Sequence, residues 1–239
     1  MSYAKLISMM AGSASPGGGP SFFDPNDIAS VWAWFEADSY AQADESSVTT
    51  DWQDQSPNNR DITLSGSGTV LYKAGEVNGQ DALDIPGGRY FALPSMVALT
   101  SGHYFKVMKN ENNAGPGGDH LGTGDNNHYL LSFDSKIYDA FGSTARKDAL
   151  TNQVTVTNWH CVHGHSAASD WGMYQNASTV HTTSSNNVGF PSNPKLFRNA
   201  GGTDWEGMCA AVYFFSSKLT GGDLAGIKSR ITDKYGISF

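Results

Sequence analysis

The feature that most constrains this chain is how its apolar residues are packaged. They come in short runs, Val31-Trp32-Ala33-Trp34-Phe35, Ala82-Leu83-Asp84-Ile85 and Tyr104-Phe105-Lys106-Val107-Met108, separated by clusters of Gly, Asn, Ser and Asp. Runs of this length bounded by turn residues read as β-strands, and Asn78-Gly79 is a strong signal for a tight hairpin. Charged residues make up only 16% of the chain and glycines number 27, where an ordinary soluble protein carries about 25% charged residues. Turn chemistry has replaced surface charge. A length of 239 residues suits one large all-β domain.

Further strands are expected at residues 129–133, 136–141, 154–162, 172–175 and 210–215, with the longest loops at 110–127 and 178–195. Only the end reads as helix. Leu224, Ile227, Ile231 and Tyr235 recur at three- and four-residue spacing, Thr220 stands at the N-cap position, and Gly236 ends the pattern. Many short strands and one terminal helix predict an all-β, two-sheet antiparallel sandwich. No fixed-period repeat supports a propeller or solenoid.

Residues 1–20 differ in kind. A small apolar head (Tyr3, Leu6, Ile7, Met9, Met10) precedes Gly12-Ser13-Ala14-Ser15-Pro16-Gly17-Gly18-Gly19-Pro20, a linker composition with no reason to pack by itself. The division expected is an anchoring arm over 1–20 and a sandwich over 21–239. The head either docks into a neighbouring subunit or folds back on its own domain. A secretory signal fits poorly, because Ser8 interrupts an already short apolar core. Net charge is -8 with no basic run, which argues against nucleic acid. No stretch approaches the roughly 20 apolar residues of a membrane-spanning helix. Cys161 and Cys209 have apolar neighbours and read as buried free thiols.

The order of several segments carries a resemblance. Phe23-Asp24-Pro25, Ala33-Trp34-Phe35-Glu36-Ala37-Asp38, Trp52-Gln53-Asp54-Gln55-Ser56-Pro57-Asn58-Asn59-Arg60-Asp61 and Asn78-Gly79-Gln80-Asp81-Ala82-Leu83 resemble the opening of a concanavalin A-like (laminin G-like) jelly-roll domain. Trp159-His160-Cys161-Val162, Tyr174-Gln175-Asn176, Trp205-Glu206-Gly207 and Val212-Tyr213-Phe214-Phe215 resemble its second half and closing strand. Ala177 stands where the family's hairpin usually has glycine. The resemblance implies a jelly-roll sandwich over about residues 22–239, of the kind found in bacteriophage virion proteins.

Hydrolytic relatives of that kind carry paired acids on one strand, in a Glu-x-Asp-x-x-Glu run. The nearest match, Glu36-Ala37-Asp38, lacks the third acid, so no catalytic residue is expected and the chain is read as not an enzyme. Cys161, His163 and His165 would share one strand face, a spacing compatible with metal ligation. Gly164 would interrupt that strand and no fourth ligand is identifiable, so no metal site is assigned. Calcium is the one cofactor weighed, at Gly118-Asp119-His120 and Gly124-Asp125-Asn126-Asn127-His128, although turn-forming Asx residues explain the same letters. Asp119, Asp125, Asn126 and Asn127, with Asn186 and Asn187, are the expected glycan-facing residues. Trp32, Trp34, Trp52, Trp159 and Trp205 are read first as core, and only second as platforms for sugar stacking.

Taken together, these readings predict a non-enzymatic structural or adhesive virion protein: a phage fibre, tail accessory or capsid-decorating subunit. Its arm would bind other virion proteins, it would form a homo-oligomer, and its sandwich would face a cell-surface glycan. The alternative is a secreted or surface carbohydrate-binding module. Sandwiches of this class host binding, cleavage and pure architecture, so fold alone does not choose.

Overall fold

The computed structural model describes residues 21–111, 117–123, 130–131 and 136–239. The arm assigned to residues 1–20, including Tyr3, Leu6, Ile7, Met9 and Met10, lies outside them. In chain order the strands are β1 (Val31–Glu36), β2 (Ser47–Val48), β3 (Thr63–Gly66), β4 (Val70–Val77), β5 (Gln80–Ile85), β6 (Arg89–Ala92), β7 (Gly102–Asn110) and β8 (Leu130–Leu131). They continue with β9 (Lys136–Asp139), β10 (Lys147–Thr151), β11 (His160–Ala167), β12 (Asp170–Gln175), β13 (Ser178–Thr183), β14 (Lys195–Leu196) and β15 (Gly207–Phe215), and helix α1 (Gly221–Tyr235) closes the chain.

The main sheet has nine antiparallel strands in the order β13-β12-β11-β7-β15-β5-β4-β2, with β1 also paired to β15. β15 explains that branch. One of its edges pairs with β7 throughout, while the other is divided, Gly207 to Cys209 meeting β5 and Ala211 to Phe215 meeting β1. A bulge places Ala210 between the registers Cys209–Met108 and Ala211–Val107. Both central strands are buried on both faces, which is why β7 and β15 read as nearly continuous apolar runs rather than strict alternations.

One face of this sheet packs against two three-stranded sheets, β10-β9-β8 and β14-β6-β3. Trp52, Phe91, Tyr104, Phe141, Trp171, Phe197 and Phe214 meet in that core. On the opposite face Trp34, Phe105, Val107, Tyr213 and Phe215 join Ile227, Ile231 and Tyr235 of α1 in a second cluster. The chain is therefore an all-β sandwich with a helix on its outer face. Among the described residues its second layer consists of two three-stranded sheets.

Local chemistry accounts for the turns. Asn78 (φ 50) and Gly79 (φ 77) make the two-residue β4–β5 hairpin, in which both residues need positive φ. In the β12–β13 hairpin only Asn176 has positive φ, so Ala177 is tolerated where glycine was expected. Asp54 gathers its turn as anticipated: Oδ1 accepts from the backbone N–H groups of Trp34 (3.1 Å) and Ser56 (2.9 Å), and Oδ2 from Arg60 N–H (2.8 Å). Helix α1 ends at Gly236 (φ 70), whose N–H bonds to the Thr232 carbonyl at 2.9 Å.

Three expectations change. Residues 154–159 are turn rather than strand, because Asn158 N–H closes on the Thr155 carbonyl (2.9 Å) and β11 begins only at His160. The loop expected at 178–195 opens with β13, whose β-branched residues suit an edge strand. Gly164 does not break β11. It lies opposite Met173 and Tyr104, where a Cβ would sit 2.7 Å from the Gly172 carbonyl oxygen, so glycine permits close packing.

Candidate functional site

The six tryptophans sort themselves by burial. Trp32, Trp34, Trp52, Trp171 and Trp205 are all buried, whereas Trp159 is half-buried. Beside it, on the helix-bearing face, three paired residues form the floor of a groove: Asp84 on β5 opposes Met208 on β15, which opposes Lys109 on β7. Glu111 and Thr157 complete its walls, and the volume is about 300 Å³. Lys109 Nζ lies 5.2 Å from the Trp159 ring centre and 3.3 Å from Glu76 Oε2. A cation and carboxylates thus meet at the ends of strands from distant parts of the sequence, with the Trp159 ring set against the lysine.

Electrostatics shape this groove. Burial raises the Asp84 carboxyl above its usual range against the opposing pull of Lys73. Glu111 is also raised, by a hydrogen bond from its side chain to Glu206 and by the charge of that neighbour. Two carboxyls in direct contact favour sharing a proton. Together Glu111 and Glu206 can accept and donate hydrogen bonds to hydroxyls.

The expected glycan-facing residues are scattered. Asp119 is fully buried, with Oδ2 2.5 Å from Lys106 Nζ and Oδ1 accepting from Phe197 N–H at 2.6 Å. That corrects its surface assignment: the carboxylate is spent inside the sandwich. Asn186 is also buried, its amide donating to Ser166 Oγ (3.0 Å) and the Ala167 carbonyl (2.9 Å). Asn187 is exposed, and its carbonyl accepts from Thr144 N–H (3.0 Å). Asp125, Asn126 and Asn127 lie outside the described residues.

The other chemical candidates serve packing. Glu36 is buried between β1 and α1, with Oε1 2.8 Å from Arg230 Nη2 and 2.5 Å from Tyr213 Oη, and Oε2 2.5 Å from Lys234 Nζ. Burial, and next the Glu36 charge, hold the Tyr213 phenol well above its usual value, so it donates to that carboxylate. His163 and His165 do share a face with Cys161, but the His163 ring stacks with His103, Phe105 and Tyr174, and the His165 ring stacks with Tyr174 and meets His103 edge-on. Among the described residues no group of three or more His, Cys, Asp or Glu side chains is placed to hold a metal. Cys161 and Cys209 are buried free thiols, and burial pushes the Cys209 thiol up to about 12.

Sequence reasoning missed Asp84, Lys109, Glu111, Thr157 and Glu206 as a group. Lys109 was accessible by extending the alternation of β7 by one residue. The pairing that brings Asp84 and Met208 beside it is non-local and left no short-range signal.

These features define an all-β sandwich domain. No family model and no curated protein matches the chain. Among solved structures it is similar to domain 4 of AbnA, a GH43 extracellular arabinanase from Geobacillus stearothermophilus, in complex with arabinotriose. That match has a TM-score of 0.62 and 16% identity, over 86% of this chain and 98% of that one. A Trypanosoma rangeli sialidase in complex with 2,3-difluorosialic acid gives a TM-score of 0.59 at 12% identity, over 93% of this chain. An arabinofuranosidase complexed with arabinofuranosyl-alpha-1,2-xylobiose gives 0.57 at 12% identity, over 80% of this chain. The chain spans 36% of the sialidase and 52% of the arabinofuranosidase. At such identities the likeness establishes the fold. It supports the sandwich implied by the concanavalin A-like resemblance.

Proposed function

We propose that the chain is a non-catalytic carbohydrate-binding sandwich whose site is the groove beside Trp159. The observation that carries this reading is that Trp159, alone among the six tryptophans, is incompletely buried, and that it adjoins a cleft of carboxylates and a lysine. Sugar rings present apolar C–H faces to an aromatic ring and hydroxyls to carboxylates and ammonium groups, the mixed apolar and polar lining expected of a ligand site. The arabinotriose complex of the AbnA domain supports the choice of ligand class. The test is calorimetric titration with arabinotriose and a panel of neutral oligosaccharides. Trp159 also packs against the second cluster, so Trp159→Ala is expected to lower the urea midpoint and, titrated under conditions where the variant is fully folded, to weaken binding at least tenfold, about 1.4 kcal/mol. Absence of binding, equal binding by the variant, or release of reducing ends by the wild type would each overturn the reading.

We further propose that the sandwich is displayed on a larger particle, a virion in the most specific version, and moored there by residues 1–20. The apolar head and its Gly/Pro tether support this. Burial of Leu6, Ile7, Met9 and Met10 would contribute about 1.5–3 kcal/mol each before ordering costs. Removal of residues 1–20 is expected to leave a folded, glycan-binding domain that no longer joins the particle. Unchanged incorporation would refute the mooring role.

A further inference from the structure

The helix-bearing face of the sheet holds an unusual concentration of imidazoles. His103 on β7 lies directly opposite His165 on β11, and Phe105 opposite His163, so the four rings form one patch. His103 stacks on Phe105 at 4.7 Å between centres, Phe105 on His163 at 5.0 Å, and His163 on Tyr174 of β12 at 4.8 Å. All three histidines are buried. His103 Nε2 and His163 Nδ1 are buried atoms with no hydrogen-bond partner among the described residues.

Two contacts link this patch to the C-terminal strap, residues 219–239. Leu219 N–H donates to His103 Nδ1 at 3.1 Å just before α1 begins, and the Phe239 ring meets His163 edge-on at 5.5 Å. The first contact requires His103 Nδ1 to be unprotonated. A proton there replaces an acceptor with a second donor facing a donor.

The charged surroundings favour neutral rings. Lys218 precedes the strap, and Lys228 of α1 stands 5.1 Å from the Phe239 ring; both act on His103. Among the described residues that face the patch, Tyr174 and Cys161 are neutral, and Asp170 is the carboxylate that meets it. It is bonded to His165 Nε2 at 2.9 Å and already shared with Lys218 at 2.6 Å. His103 and His163 therefore have no nearby anion of their own in this set.

We propose that His103, His163 and His165 form an acid-operated latch: neutral, they fasten the two ends of the strap and add to the packing of Ile227, Ile231 and Tyr235 and the Glu36 pairs with Arg230 and Lys234 that hold α1 on the sheet, and protonated, they favour its release while the inter-sheet core stays folded. Burial foremost, with neighbouring positive charge, holds His103 well below its usual range and His163 at about 3. Opening the strap returns a ring to its ordinary value near 6.5. The open form thus binds more protons. Opening is favoured as pH falls below about 6.5, and for His163 the gain continues down to about 3.

The experiment is hydrogen exchange on the full chain between pH 7 and pH 5, corrected for intrinsic rates. Over that interval the opening constant of 219–239 is expected to rise roughly 25-fold for one coupled proton and several hundredfold for two, from the linkage relation. Amides of β7 and β15 should lag behind. His103→Asn, which retains an acceptor but does not titrate, combined with His163→Phe, should diminish the response to at most what His165 alone contributes. A pH-independent opening constant in the wild type needs no variant to refute the latch. Equal acceleration across the whole molecule, or an undiminished response in a folded double variant, would also overturn it.

Discussion

Glu36→Ala is expected to lower the unfolding free energy by about 3–5 kcal/mol, the loss seen when one partner of a buried ion pair is removed. Glu36 holds two buried cations, Arg230 and Lys234, and accepts the Tyr213 hydroxyl. Without it Lys234 keeps Asp38 at 2.7 Å, but Arg230 is left with uncharged partners, the Phe23 carbonyl (2.7 Å), the Tyr213 hydroxyl (3.4 Å) and the faces of Trp34 (5.2 Å) and Phe22 (5.9 Å). The loss is large against the total stability of a domain, about 5–15 kcal/mol. Urea unfolding should show a lower midpoint at unchanged slope. The triple replacement Glu36→Leu, Arg230→Met, Lys234→Met should recover most of the loss, since desolvating charges offsets much of what their attraction contributes. A loss below about 1 kcal/mol in the single variant would mean that the cluster is hydrated rather than buried. The variant also bears on catalysis. A structural Glu36 lowers binding only by unfolding the chain, whereas a catalytic one would abolish turnover in a chain that remained folded.

What could be read in advance followed the range of the interactions involved. Helix α1 and its stop at Gly236 were legible because apolar spacing and a left-handed cap are properties of neighbouring residues. The Asn78-Gly79 hairpin and the Asp54 turn were legible for the same reason. The sandwich followed from many short strands, but the division of β15 between β5 and β1 did not, since it depends on partners separated by most of the chain. β13 escaped notice because a Thr- and Ser-rich edge strand has the polarity of a loop. Trp159 is read from the sequence first as core, with the other tryptophans, and second as a platform for sugar stacking. Its groove exists only once Asp84, Met208 and Lys109 are in register. Asp119 misled in the opposite direction: Gly118-Asp119-His120 has the letters of a surface turn, and its partner Lys106 is hidden inside an apolar run.

That hidden pair gives the second large effect. Lys106→Met is expected to cost about 3–5 kcal/mol, because it removes the cation facing a fully buried carboxylate. Methionine keeps the packing volume, so the loss reports charge rather than a cavity. Lys106 Nζ also lies 5.4 Å from the Phe197 ring and 5.7 Å from the Trp205 ring, and those contacts add to the loss. Asp119 has a second task. Its Oδ1 accepts the N–H of Phe197, a non-glycine residue held at φ 68, a conformation costly for a bulky side chain. Asp119→Asn retains an acceptor while removing the charge, so the double variant Lys106→Met, Asp119→Asn should be more stable than Lys106→Met alone. In a double-mutant cycle the coupling should reach about 1–3 kcal/mol. Additive effects would show that the two side chains do not depend on each other. If Asp119→Asn instead abolished glycan binding at unchanged stability, the carboxylate would belong to a binding surface after all, and the groove beside Trp159 would lose its claim to be the site.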